Sequence, residues 1–117
     1  MDPRPDPRWN PTVAEGLAEL AAQLPGATMG KMFGHPAMYV AGKLSACAFG
    51  DGVGVKLPAD TVQALLCEPG FSAFTPYGKA PMREWLHVQA TSATEVRAYR
   101  TLFEESAAML LATLSGH

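Results

Sequence analysis

The stretch from Lys31 to Leu57 constrains the fold more than any other part of the chain. It reads KMFGHPAMYVAGKLSACAFGDGVGVKL, so short runs rich in apolar residues alternate with glycine-containing breaks. Strands joined by tight turns have this pattern, and Asp-Gly suits a type I′ turn because both central residues need positive φ. We therefore predict strands over Thr28–Phe33, Ala37–Val40, Leu44–Phe49 and Val53–Leu57, a break at Gly34-His35-Pro36, and turns at Ala41-Gly42 and Asp51-Gly52.

The Asp51-Gly52 turn fixes the expected register of the last hairpin. It places Phe49 opposite Gly54 and Lys56 opposite Cys47 on one side of the sheet. That side is not fully polar, which indicates that something covers part of it. The other side is expected to carry the core, with the small and branched residues Ala46, Ala48, Val55 and Leu57.

Two helices are predicted around these strands from their end signals. Asn10 is a favourable N-cap and Pro11 suits the first helical position, so a helix is expected over about 11–24. Pro58 opens a short helix that reaches about Cys67. The expected buried positions of this short helix are Val62, Leu65 and Leu66.

The later part of the chain predicts two more strands, at Phe71–Phe74 and Met82–Gln89. If Leu86 points toward the core, strand alternation points Glu84 inward and Trp85 outward. An inward carboxylate and an outward tryptophan are both unusual, so either a bulge shifts the alternation or this strand lines a site.

A capping box, Ser92-Ala93-Thr94-Glu95, begins a long helix that reaches about Leu114. Past Glu105 this helix is apolar on nearly every side, so it needs cover on more than one face. A homodimer contact through this C-terminal helix is expected to supply the cover. The predicted core stripe is Val96, Tyr99, Phe103, Ala107, Leu110 and Leu114.

Composition narrows the class of protein. A chain of 117 residues predicts one domain, here 10–117, preceded by a disordered proline-rich tail over 1–9. The formal charge of −2 and the lack of a basic cluster argue against nucleic acid as a partner without excluding it. The sequence has two cysteines but no CxxC pair, and it shows neither a secretory leader nor an apolar run long enough to span a membrane. These features predict a cytoplasmic protein with reduced thiols. Both cysteines are expected to pack as small core residues.

An ordered set of short motifs resembles the TfoX N-terminal domain family. The motifs are Met32-Phe33-Gly34, Tyr39-Val40 with Gly42, Asp51-Gly52, Lys56, Tyr77-Gly78, and Met82 with Trp85. The likeness spans about residues 13–113, and it departs at His35-Pro36, where many relatives are glycine-rich. It implies a two-layer α+β domain, a curved antiparallel sheet with helices on one side, in the order α-β(3-4)-α-β(2)-α. Family members include a module of natural-competence regulators that carry a second domain, so that role does not transfer directly.

A set of residues that combines cations with aromatic side chains predicts a binding surface. The prediction requires that the loops 33–36 and 75–81 and the last strand, Met82–Gln89, converge. Such mixtures suit protein contacts or base stacking. The alternative is that the aromatic members only cover the sheet as core residues. The candidate residues are Lys31, Phe33, His35, Lys56, Tyr77, Lys79, Arg83 and Trp85.

No motif of the sequence indicates a metal, a cofactor or a catalytic site. Histidine, cysteine and acidic residues lack the spacings of a zinc site, and GDGVG lacks the GK[ST] of a phosphate loop. We therefore expect a non-enzymatic regulatory or protein-interaction domain, with a homodimer as its form. The alternatives are a nucleic-acid-associated competence or transcription regulator, and a small-ligand binder or cysteine enzyme that uses Cys47, His35 or Glu84.

Overall fold

The computed structural model describes residues 8–75 and 82–115 of the chain. Within them, six strands form one antiparallel sheet accompanied by four helices, which confirms the predicted α+β class and the approximate order of elements. The elements are α1 (Pro11–Gln23), β1 (Ala27–Met32), β2 (His35–Val40), β3 (Lys43–Phe49), β4 (Gly52–Lys56), α2 (Ala59–Leu65), β5 (Phe71–Ala73), β6 (Trp85–Gln89), α3 (Ala93–Ala98) and α4 (Arg100–Ser115).

The sheet has the order β1-β2-β3-β4-β6-β5. The first four strands follow one another as hairpins, whereas β6 inserts between β4 and β5. The main core contains residues of α1, α2, α3 and α4 together with alternate residues of the strands, so these helices pack on one face of the sheet. A second, smaller cluster on the opposite face contains no helical residue among those described.

The helix caps follow the sequence closely. The Asn10 side chain accepts a hydrogen bond from the Thr12 amide at the start of α1. Ser92 caps α3 by accepting from the Glu95 amide, and the Glu95 carboxylate accepts in return from the Thr91 amide rather than from Ser92 itself. The hydrogen bond from the Thr91 amide, and to a smaller extent that from the Thr91 hydroxyl, lowers the pKa of Glu95.

The register of the β3–β4 hairpin corrects the predicted turn. Phe49 pairs with Gly52, so the turn residues are Gly50 and Asp51 rather than Asp51-Gly52. Gly50 has a positive φ of 58°, as glycine does at the first central position of a type II′ hairpin turn. Gly52 is instead a strand residue pressed against β6, where a Cβ would lie 1.9 Å from a backbone oxygen. The shift preserves the predicted faces because it changes each pairing by two residues.

The β1–β2 hairpin also differs from the prediction. Its turn is Phe33-Gly34, with φ of 50° and 84°, and His35-Pro36 belongs to β2 instead of breaking the strand. The predicted Ala41-Gly42 turn between β2 and β3 is confirmed, with φ of 55° and 78° and Val40 paired with Lys43.

Two elements near the end of the chain are shorter than predicted. β6 begins at Trp85, because residues 82–84 form a turn in which the Trp85 amide donates to the Met82 carbonyl. The predicted inward position of Glu84 is therefore wrong, and its side chain is exposed. The long C-terminal helix is broken at Tyr99, whose ring packs edge-on against Phe71 at 5.6 Å. The sequence contains no glycine or proline near this break, so it does not predict it.

Three predicted core positions are exposed, namely Leu66, Cys67 and Leu114. By contrast, two residues that the sequence places in the disordered tail over 1–9, Arg8 and Trp9, contact the folded domain. The Gly50 amide donates to the Arg8 carbonyl, and Trp9 packs against the main core. The rest of that tail lies outside the described residues. No helix within those residues is long and apolar enough to cross a membrane.

Candidate binding cleft beside Trp85

Aromatic rings form a continuous row across the helix-free face of the sheet. Trp9 lies 5.5 Å from His35, which stacks on Phe49 at 4.8 Å between ring centroids. Phe49 meets Phe74 edge-on at 5.2 Å, and Phe74 lies 5.5 Å from Trp85. The row explains why this face is not polar in sequence, and it shows that Phe74 provides part of the expected cover.

His35 has a structural partner that accounts for its burial. The last pair of the β2–β3 register is Ala37 with Cys47, and its continuation by one residue places Pro36, which has no amide hydrogen to donate, opposite Ala48. The His35 Nδ1 lies 3.0 Å from the Ala48 carbonyl oxygen, and because a carbonyl only accepts, Nδ1 carries the proton. The imidazole thus replaces the missing backbone donor. His35 is 1% exposed, which removes it from the predicted binding surface.

Cys47 is buried in the smaller cluster, in accord with the prediction that it packs as a core residue. It lies opposite Gly54, not opposite Lys56, so no lysine faces it as the predicted register required. Burial raises the pKa of the thiol from 9.0 to about 12, against a smaller opposing effect from a hydrogen bond with the Gly54 backbone. A thiol with so high a pKa is protonated at neutral pH and is therefore a poor nucleophile.

The two thiols are expected to react at very different rates. In the native protein at pH 8, Cys67 should react with a disulfide reagent at an ordinary rate because it is exposed, whereas Cys47 should react only after unfolding. Because its folded pKa exceeds its unfolded value, Cys47 contributes stability below pH 9 that is lost as the pH rises toward 12. A Cys67→Ser variant isolates Cys47, and rapid labelling of that variant under native conditions would contradict the buried assignment.

Lys31 lies near the end of β1 and Phe33 in the turn that follows it, and neither residue lines the cleft that contains Trp85. Both are exposed, Phe33 at 81%. They are near opposite ends of the strand order from Trp85, since β1 is one edge of the sheet and β6 is next to the other. Tyr77 and Lys79 lie outside the described residues. The structure therefore brings together only part of the predicted surface.

Lys56, Arg83 and Trp85 do converge, at a cleft between α2 and the turn that precedes β6. Lys56 and Trp85 are direct cross-strand partners, and the Lys56 Nζ lies 5.9 Å from the indole centroid. The turn is fixed by two backbone hydrogen bonds, Trp85 N–H to the Met82 carbonyl and Leu57 N–H to the Glu84 carbonyl. Arg83 thereby projects from a well-defined turn at the border of the cleft.

The cleft has two lobes that share Ala59, Met82, Arg83 and Trp85. We call it the Trp85 cleft. The inner lobe, about 220 Å³, is also lined by Asp60, Val62, Gln63, Leu66 and Ala73. The outer lobe, about 460 Å³, is bordered by Lys56 and Glu84.

Sequence reasoning missed the wall of the cleft that α2 provides. Leu66 and Met82 are each 41% exposed, although the apolar spacing of α2 predicts Leu66 as core. A seven-residue helix presents few apolar residues to the core, and within α2 only Val62 is buried. The pairing of exposed Leu66 with exposed Met82 depends on the tertiary fold and has no local signal in the sequence.

A second group of polar residues lies along β6, and its central member, His87, forms a hydrogen bond with the backbone. The His87 Nε2 lies 2.9 Å from the Phe49 carbonyl oxygen and 3.7 Å from a carboxylate oxygen of the exposed Asp51. Ser72 is the cross-strand neighbour of His87, yet no hydrogen bond joins their side chains among the described residues. Nor do the described residues contain a group of three or more metal-ligating side chains.

No family model, curated protein or solved structure matches this chain. The resemblance to the TfoX N-terminal domain therefore stays a prediction. The fold and the cleft define the chain as a small α+β domain with an apolar surface cleft bordered by charges.

Proposed function

We propose that the protein is a non-enzymatic regulatory domain that binds another protein at the Trp85 cleft. The observation that carries this proposal is the exposure of Leu66 and Met82 on opposite walls of one cleft that has Trp85 as part of its lining. Protein-binding sites combine such apolar anchors with a charged border, and tryptophan and arginine are enriched among the residues that dominate binding energy. The lysine, arginine and glutamate around the outer lobe fit that border.

Two alternative functions have less support in the geometry. A cysteine enzyme needs a thiolate, whereas the burial of Cys47 keeps its thiol protonated. A nucleic-acid regulator needs several unpaired cations in one patch, whereas of the two described cations that line the cleft, Lys56 pairs with Glu84 and Arg83 alone has no carboxylate partner among the described residues. The TfoX-like resemblance is compatible with a regulatory module, and a cytoplasmic location is part of the same proposal.

Affinity capture with a pair of matched variants tests the binding function. Leu66→Asp places a charge inside the cleft, whereas Phe33→Asp places one on the hairpin turn that was also a predicted contact. Phe33 has positive φ, which aspartate tolerates well, so the control should fold. Proteins captured by the wild type and by Phe33→Asp should be lost with Leu66→Asp, as counted by quantitative mass spectrometry. Loss with Phe33→Asp alone would move the site to the hairpin.

We also propose that the protein is a homodimer through the C-terminal part of α4. Phe103, Ala107 and Leu110 face the core, and Leu114 continues the same helical strip to the end of α4, where it is 64% exposed. The exposed end of an apolar strip suits a contact with a second copy.

A charge on this strip should separate the dimer. Light scattering coupled to size exclusion is expected to give twice the monomer mass of 12.4 kDa for the wild type and the monomer mass for Leu114→Glu. Thr101→Glu, on an exposed position of α4 outside the strip, serves as the control and should remain dimeric. A wild type that is monomeric at high micromolar concentration would rule out this contact.

A further inference from the structure

We infer that the Trp85 cleft takes a short segment of a partner protein in which one large apolar side chain is followed or preceded closely by an acidic residue. This inference rests on the proposed function, because it names the chemistry of the partner at the same cleft. It follows from the size of the inner lobe and from the balance of charges around it.

The inner lobe is sized for one side chain. Its volume of about 220 Å³ lies below the range of about 300–1,000 Å³ that is usual for pockets of small-molecule ligands and cofactors, whereas the more open outer lobe, about 460 Å³, falls within that range. The walls of the inner lobe carry Val62, Leu66 and Met82 with the Trp85 indole. A single leucine, methionine or phenylalanine side chain of a partner would bury these exposed apolar groups.

Among the described residues, two of the four charged side chains that line the cleft, Asp60 and Arg83, have no ion-pair partner. The Lys56 ammonium lies 3.1 Å from a Glu84 carboxylate oxygen, so these two form a pair. Asp60 lies in the first turn of α2, where the free amide groups of a helix start stabilise a carboxylate. Arg83, in contrast, has no carboxylate within ion-pair distance among the described residues. The cleft therefore presents a guanidinium that pairs with none of the described carboxylates.

The position of Arg83 sets where the acidic group must lie. Arg83 lines both lobes, so this residue lies where the apolar lobe meets the open one. A partner carboxylate bonded there lies within a few residues of the side chain in the inner lobe. Arginine binds a carboxylate through two parallel N–H donors, which gives the pair direction as well as attraction.

Trp85, which lines the cleft, carries a further accessible donor. None of the described residues accepts a hydrogen bond from its indole N–H, and no buried side-chain polar atom among them lacks a partner. The indole N–H therefore reaches solvent, although the ring itself is buried. Buried tryptophans with an accessible N–H are frequent anchors of protein interfaces.

Selection from a phage-displayed library of random twelve-residue peptides tests this inference. The wild type is expected to enrich peptides with a large apolar residue within about three positions of Asp or Glu. The best peptide, made synthetically, should bind Leu66→Asp and Arg83→Glu about tenfold or more weakly than wild type. Arg83→Glu used as bait should enrich Lys or Arg in place of the acidic residue. Phe33→Asp should retain the wild-type consensus.

The outcomes separate the two proposals. Peptides that bind wild type and Leu66→Asp equally would overturn the cleft as the site while leaving a peptide-binding protein. Peptides that require Leu66 but whose consensus carries no acidic residue, or does not change with Arg83→Glu, would overturn the charge assignment alone. A library that yields no enriched peptide on a folded bait would count against both.

Discussion

Replacing Gly52 with alanine is expected to destabilise the protein by about 4 kcal/mol, because the added methyl group would make the closest backbone contact of any described glycine position. The added Cβ would lie 1.9 Å from the Val88 carbonyl oxygen and 3.0 Å from the Gln89 Cα, both backbone atoms of β6. A flexible side chain could move away, but a paired strand cannot move without loss of its hydrogen bonds. The free energy of unfolding in urea measures the cost.

Gly42→Ala is the matched control for this variant. Gly42 occupies a turn with φ of 78°, and no atom lies within 4 Å of its Cβ position. Alanine there costs only the strain of a left-handed conformation, about 1–2 kcal/mol. Equal stability of the two variants would mean that β4 and β6 are not packed as closely as the structure places them.

Replacing His35 with alanine is expected to cost about 3–5 kcal/mol, because the change removes a buried ring and leaves a carbonyl without a donor. The ring fills the space between Trp9 and Phe49, and its Nδ1–H serves the Ala48 carbonyl. His35→Phe separates the two effects. It keeps an aromatic ring but removes the donor, so its expected cost is about 1–3 kcal/mol.

The amide that Pro36 lacks provides a rescue of the same hydrogen bond. In the wild-type background, Pro36→Ala is expected to cost about 0.5 kcal/mol through the greater freedom of the unfolded chain. In the His35→Phe background, the backbone N–H that Pro36→Ala introduces can donate to the Ala48 carbonyl, so the same change should stabilise by about 1 kcal/mol. Strictly additive effects of the two substitutions in urea unfolding would refute this exchange of donors.

Local signals were sufficient to predict most of the fold. The turn pairs located the first four strands, and Asn10, Pro11 and Ser92 marked the helix starts. The one-residue error at Gly50-Asp51 arose because two overlapping glycine pairs both suit a turn. Packing of Gly52 against β6 decides between them, and that contact joins residues far apart in the chain.

The candidate site was predictable only in part, for the same reason. Lys56 and Trp85 attracted attention as residue types, but their pairing depends on the insertion of β6 beside β4. His35 was predicted to belong to a binding surface, but it is buried and its ring donates a hydrogen bond to the Ala48 carbonyl. The sequence does not show that this carbonyl needs a donor because Pro36 has no amide hydrogen. Leu66 was predicted as core because periodicity does not report how little of a short helix is covered.

The central claim is that the Trp85 cleft is the protein-binding site, and chemical-shift mapping with the best selected peptide tests it most directly. Amide signals should change for Lys56, for α2 and for residues 82–85, and the Trp85 indole N–H should shift as a separate, well-resolved signal. Signals of the β1–β2 hairpin around Phe33 should stay in place. Changes confined to that hairpin or to the end of α4, with the Trp85 indole signal unmoved, would contradict the claim.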